Sequence, residues 1–101
     1  APAVHPEVVA RLHLAAQNGD RAQIRWCLLK GHDVDARAGD GSTPLHTAAR
    51  FGQIRVVRLL LESGATVEAR NEAGLTPLDR ALQEGHRDVA ELLRHSASPG
   101  G

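Results

Sequence analysis

Apolar residues along the chain recur at helical spacing in short stripes, and each stripe ends at a glycine. Within 43–52, Leu45, Ala48 and Ala49 stand at i, i+3 and i+4, which places them on one side of a helix. A second stripe follows before Gly64 and consists of Ile54, Val57, Leu60 and Leu61. This pattern predicts pairs of short helices.

Residues at the stripe boundaries predict where these helices begin and end. Thr43 is a suitable N-cap, and Pro44 then occupies the first helical position, where its missing N–H is harmless. Thr76 opens a later helix in the same way, with Asp79 placed as the acid of a capping box. Gly52 is suited to ending a helix in a left-handed conformation.

The polar stretch 65–74 separates one helix pair from the next. It contains turn-forming residues and is too short for a further helix. We therefore predict an extended β-turn or hairpin that projects sideways from the helices.

Glycines reveal an internal repeat of 33 residues. The pairs and triplet at this spacing are Gly31 and Gly64, Gly41 and Gly74, and Gly19, Gly52 and Gly85. The surrounding sequence recurs as well, since 43–45 and 76–78 both read Thr-Pro-Leu. A repeat of this length is typical of stacked structural units.

The repeated sequence resembles the ankyrin-repeat family, whose units contain a G-x-TPLH-x-A opening and a leucine-rich second helix. The middle unit carries Gly41, Thr43-Pro44-Leu45-His46, Ala48-Ala49, Gly52, Val56-Val57, Leu59-Leu60-Leu61, Gly64-Ala65 and Val67. The resemblance covers about residues 7 to 96. It implies an all-α ankyrin-repeat solenoid of three helix–turn–helix units with projecting β-turn or hairpin links.

The predicted organisation is a single ankyrin-repeat domain over 1–101. Its parts are repeat 1 at about 7–39, repeat 2 at about 40–72, repeat 3 at about 73–96, and a flexible tail at 97–101.

The outer repeats carry polar residues where the middle repeat is apolar. Arg21 and Arg87 both stand at the position of Ile54, and Gln23 stands at that of Val56. Terminal units of a stack have one face without a neighbour and must present polar groups to water. We therefore expect the outer repeats to act as caps and the three units to form a complete domain.

Composition and charge restrict the function. Twelve basic and twelve acidic residues cancel, which argues against recruitment to nucleic acid or a membrane surface. The single cysteine, Cys27, is typical of a reducing compartment. No apolar run is long enough for a membrane span, and no secretory signal is visible. An intracellular protein, cytoplasmic or nuclear or both, is the expectation.

Histidines are the most obvious candidates for chemistry, since the chain has six. His13 and His46 occupy equivalent positions, and a metal site would require at least a third ligand. We expect each ring to bond to backbone or hydroxyl groups near its helix start, which would tie adjacent units together. The others, His5, His32, His86 and His95, show no ligand spacing. No metal and no cofactor is predicted.

Cys27 and Trp26 lie on the predicted second helix of the first unit. We interpret Cys27 as a small buried apolar residue and Trp26 as a packing residue between helices, although an exposed edge of Trp26 could join an interface. No phosphate-binding loop and no nucleophile paired with a base is present. The protein is therefore not expected to be an enzyme or to take a small-molecule substrate.

The resemblance implies partner contacts on a concave face formed by the first helices and the projecting turns. The positions concerned differ most between units and are Gln17, Asn18, Arg37, Asp40, Ser42, Arg50, Phe51, Arg70, Glu72, Leu75, Gln83 and Glu84. Phe51 is either an interface anchor beside Arg50 or a ring packed on the neighbouring unit. Leu75 is expected to be exposed.

The leading hypothesis is an adaptor or regulator that binds a partner protein or peptide on this face and is monomeric when alone. One alternative is self-association through a surface around Phe51 and Leu75. Another is the targeting domain of a larger enzyme.

Overall fold

The computed structural model describes residues 6–97, which form three pairs of helices. The pairs are α1 (Pro6–Asn18) with α2 (Arg21–Leu29), α3 (Pro44–Arg50) with α4 (Ile54–Glu62), and α5 (Pro77–Gln83) with α6 (Arg87–Ala97). No strand forms within this part of the chain. The predicted all-α class and the three helix–turn–helix units are confirmed.

A continuous apolar core runs through all three pairs. Leu12, Ile24, Leu45, Leu60 and Leu93 are fully buried within one cluster of side chains. Each buried leucine or isoleucine stabilises the fold by roughly 1.5–3 kcal/mol. The alanines between them allow the helices to approach closely, so the core is thin and continuous along the stack.

The predicted helix starts are confirmed in the second and third units. Thr43 and Thr76 are N-caps, and each forms a reciprocal capping box with the residue three positions later, His46 or Asp79. The first unit lacks the Thr-Pro pair. Its helix α1 therefore begins earlier, at Pro6, and is 13 residues long, whereas α3 and α5 have seven.

The links between units are turns closed by backbone hydrogen bonds. In the first, Ala38 N–H donates to the Ser42 carbonyl over 2.9 Å, and in the second, Asn71 N–H donates to the Leu75 carbonyl over 3.0 Å. The neighbouring links also meet, because Glu72 N–H donates to the Asp40 carbonyl over 2.9 Å. The predicted projecting turns are confirmed.

A side chain in each following unit holds the end of the preceding first helix. Gln53 Nε2 donates to the Gln17 carbonyl over 2.8 Å, and His86 Nε2 lies 3.0 Å from the Arg50 carbonyl. The His86 ring passes so close to Gly52 that a Cβ there would lie 2.7 Å from its Nδ1 atom. Glycine at this position therefore serves the stacking as well as the positive φ of 68°.

Two predictions at the ends of the stack meet different outcomes. Trp26 was expected to pack between helices, with an exposed edge left open, and it is 43% exposed, so packing covers only part of its ring. The equivalent Leu59 is half-buried and shares a recess with Leu28 and Leu29 of the preceding unit. Of the predicted tail, only Ala97 is described, as the last residue of α6. Residues 98–101 and His5 lie outside the described part of the chain.

A pair of substitutions tests the contact across Gly52. Gly52→Ala and Gly85→Ala both place a Cβ on a backbone with positive φ, which costs about 1–2 kcal/mol. Only the first also displaces the His86 ring, because nothing lies within 4 Å of a Cβ at Gly85. Urea unfolding should show a further loss of about 1 kcal/mol for Gly52→Ala. Equal losses would contradict this account of the junction.

Candidate interaction surface

A groove of about 510 Å³ lies along the first helices and beneath the two projecting turns. Its walls combine helix and turn residues from all three units, so it exists only in the stack. The lining residues are Ala10, His13, Leu14, Gln17, Ala38, Asp40, Ser42, His46, Thr47, Arg50, Phe51, Asn71, Ala73, Leu75 and Arg80.

The floor of the groove contains two histidines that bond as the sequence predicts. His13 Nε2 lies 2.8 Å from the Ala36 carbonyl, and its Nδ1 lies 2.9 Å from Thr47 Oγ1 in the next unit. His46 Nε2 lies 2.7 Å from the Leu75 carbonyl of the following link. Both rings therefore bond to backbone or hydroxyl groups of neighbouring segments, and the predicted tying role is confirmed. Only His46 lies at the start of its helix, because α1 begins at Pro6 and places His13 in its middle.

His46 has its tautomer determined by its partners. The Leu75 carbonyl can only accept, so Nε2 carries the proton, and Thr43 N–H can only donate over 3.1 Å to Nδ1. Burial lowers the pKa of His46, and the nearby cations Arg37 and Arg80 lower it further, against the opposing effects of the Leu75 carbonyl and Asp40. A neutral imidazole is thus part of the scaffold.

Asp40 places a fixed negative charge on the turn side of the groove. Its carboxylate accepts hydrogen bonds from Ser42 N–H and from Ser42 Oγ, each over 3.0 Å. The backbone hydrogen bond from Ser42 is the main cause that lowers the pKa of Asp40. Asp40 therefore remains ionised while it stabilises its own turn.

The opposite wall presents apolar and cationic side chains. Phe51 is 40% exposed, and the Arg50 guanidinium carbon lies 5.2 Å from the centre of its ring. Leu14 is 55% exposed at the first-unit end of the same wall. Arg80 occupies the third-unit end and donates to Gln83 Oε1 over 2.7 Å. Neither Phe51 nor Leu14 belongs to the buried core.

Half of the twelve candidate residues line this groove. They are Gln17, Asp40, Ser42, Arg50, Phe51 and Leu75. The others are exposed outside its lining and are Asn18, Arg37, Arg70, Glu72, Gln83 and Glu84. Within this second set, the Arg37 guanidinium donates to the Gly41 and Arg70 carbonyls, each over 2.7 Å, and so braces the two turns.

Leu75 is less accessible than the sequence suggests. It is half-buried because its carbonyl accepts from His46 and its N–H donates to Asn71 Oδ1 over 3.0 Å, which hold it against the turn. Phe51 is partly covered, with the Arg50 guanidinium 5.2 Å from its ring centre, and it lines the groove, as the interpretation of an interface anchor beside Arg50 requires.

Leu14 and Arg80 are groove residues that sequence reasoning missed. Each stands 33 residues from Thr47, Leu14 before it and Arg80 after it, so all three units contribute the same helix position to the wall. Leu14 lies beside the stripe formed by Leu12, Ala15 and Ala16 rather than within it. Its place outside the buried stripe was the signal in the sequence that could have predicted its exposure.

The chemistry of the described residues is limited. Among residues 6–97, no cluster of three or more His, Cys, Asp and Glu side chains is arranged to hold a metal ion. None of the helices in that range is both long enough and apolar enough to cross a bilayer. Cys27 is fully buried and unpaired with another cysteine, as the sequence predicts.

The helix pairs, linking turns and shared groove define a helical repeat protein. A family model described as Ankyrin repeats (3 copies) matches residues 12–100, which is most of the chain. The chain belongs to the ankyrin-repeat family. Members of this family are general protein–protein interaction modules and are typically non-catalytic. A comparison with curated proteins finds no match.

The bonding of His46 makes stability depend on pH. Its folded pKa lies below the unfolded value of about 6.5, so at lower pH the unfolded chain binds a proton that the folded chain does not. The contribution of His46 to the free energy of unfolding is therefore complete above the unfolded pKa. It declines as the pH falls from the unfolded pKa toward the folded pKa.

Two measurements follow for His46. Its ring resonance in NMR should titrate with a midpoint below 6.5, with a His46→Gln variant used only to assign it. The urea concentration at the unfolding midpoint of the wild type should be lower at pH 5.5 than at pH 7.5. A ring that titrates at or above 6.5 would show that the neutral form is not held by its partners.

Proposed function

We propose that the protein is an adaptor or regulator that holds a partner protein or peptide in the groove between its first helices and its projecting turns. It performs no chemistry on that partner. A single buried cysteine is consistent with an intracellular location in the cytoplasm, the nucleus or both.

The observation that carries this proposal is the contrast between repeated scaffold positions and unrepeated groove positions. The corner residues of the first helices read Gln17-Asn18, Arg50-Phe51 and Gln83-Glu84 in the three units. The same backbone therefore accepts a polar pair, and it does not require an aromatic ring beside an arginine. Arginine and aromatic residues are enriched in the centres of protein interfaces, where a few side chains supply most of the binding energy.

The combination of groups in the groove supports a protein ligand. Leu14 and Phe51 offer apolar surface, Arg50 and Arg80 offer guanidinium groups, and Asp40 offers a carboxylate. Interfaces between proteins combine an apolar centre with a polar rim in this way. The groove is open along the stack, which suits an extended segment or the edge of a folded domain.

The test replaces the middle corner with that of the first unit. Arg50→Gln with Phe51→Asn gives residues that this scaffold already carries at 17 and 18, so folding should be retained. In affinity capture from cell extract, we expect the partner to be recovered on the wild type and lost, or reduced at least tenfold, on the double variant.

Arg94→Glu is the control, since Arg94 is exposed on α6 and lies outside the groove. It should capture the same partner as the wild type. Recovery of identical proteins by all three forms would show that the groove is not the binding surface.

A further inference from the structure

The outer helices of the first two units carry a concentration of positive charge that the net charge of the chain conceals. Its exposed members on and just after α2 are Arg21, Arg25 and Lys30, and on α4 they are Arg55 and Arg58. The only acid within these two helices is Glu62. The equivalent helix of the third unit, α6, balances its arginines with Asp88 and Glu91.

These arginines do not stabilise their own helices. Arg21 and Arg55 stand in the first turn, where the helix dipole favours acids and disfavours cations by about 0.3–1 kcal/mol. The third unit has the favourable choice, Asp88, at the position of Arg55. Within residues 6–97, none of Arg25, Arg55 and Arg58 is paired with a carboxylate.

An apolar recess lies within this basic surface. It has a volume of about 290 Å³, and its lining is Arg25, Leu28, Leu29, Leu59 and Ser63. Leu29 is 86% exposed, more than any other large apolar residue that the structure describes. The second and third units carry Glu62 and His95 at this position, so the scaffold does not require leucine there.

We propose that this outer surface of α2 and α4 binds an acidic segment of another protein, distinct from the ligand of the concave groove. An apolar side chain of that segment occupies the recess against Leu29 and Leu59. Its carboxylates face Arg25, Arg55 and Arg58. Complementary charge of this kind steers association and selects among partners.

A protein segment fits these features better than a lipid surface or a nucleic acid. Three leucines dominate the lining of the recess, so it offers apolar contact to an anchoring side chain and lacks the convergent polar groups of a small-molecule site. Insertion into a membrane would need an apolar helix face, but Ile24 and Cys27 of α2 are fully buried in the core. The ring of Trp26 already has Arg11 and Lys30 within 6 Å of its centre and is not an open platform for bases.

The test begins with selection from a phage-displayed library of random dodecapeptides on the whole chain. We expect enriched peptides with several Asp or Glu residues around a Leu, Ile or Phe. A synthetic copy of an enriched peptide is then measured by fluorescence anisotropy. Its affinity should fall when NaCl rises from about 0.1 to 0.5 M, because the Debye length shortens.

Matched variants locate the site. Leu29→Glu, which copies the residue at 62, and Arg25→Glu with Arg58→Glu should each weaken peptide binding at least tenfold. Arg87→Glu with Arg94→Glu makes the same change of charge on α6 and should leave binding within twofold. Arg50→Gln with Phe51→Asn should also leave it unchanged, which separates this site from the groove.

Several results would overturn the proposal. They are selected peptides without acidic preference, no selected peptide at all, equal losses in the α6 control, or binding that responds only to the Arg50 and Phe51 changes. Binding of phosphatidylserine vesicles or a single-stranded oligonucleotide that is lost in Leu29→Glu, without acidic peptide binding, would also overturn it. A failure here leaves the groove test intact.

Discussion

Side chains that bond to the backbone of a neighbouring segment are the interaction on which this structure depends. Helices this short leave many terminal carbonyl groups without partners, and each unit has only one thin layer of core. His13, His46, Gln53 and His86 each reach a carbonyl 23 to 36 residues away. At about 0.5–1.5 kcal/mol each, these bonds are modest in energy, and those of His46, Gln53 and His86 join one unit to the next.

The surfaces follow from that constraint. The repeated positions are occupied by N-cap threonines, glycines, alanines and histidines, which hold one unit on the next. Positions outside this set vary between the units without loss of the fold, as Phe51 against Asn18 and Leu29 against Glu62 illustrate. Phe51 in the concave groove and Leu29 on the basic outer surface both stand at such positions, so one stack can present two chemically different faces.

Much of the fold could be predicted from the sequence because repeated local signals agree with one another. Thr43, Pro44 and Gly52 each predict a helix boundary by a mechanism that acts within a few residues. The pairing of His13 and His46 at equivalent positions likewise predicted their tying role. For Trp26 the local pattern predicted packing between helices, whereas the structure leaves 43% of this residue exposed.

The candidate surface was only partly predictable. Arg37 was expected among the positions that differ between units, but its equivalent Arg70 is also an arginine, and the Arg37 guanidinium braces the two turns. Leu14 was missed because a single leucine beside a buried stripe resembles a core residue. The total charge of zero described the chain but concealed its distribution over the surface. Which cations share a face becomes clear only when α2 and α4 lie side by side.

The most direct test of the central claim, that the groove is the partner-binding surface, is site-specific photo-crosslinking in cells. A benzoylphenylalanine would replace Phe51 in one form and Glu91, exposed on α6 and outside the groove lining, in another. The account predicts a discrete crosslinked partner at position 51 and none at position 91. No adduct at 51, or the same adducts at both positions, would contradict it.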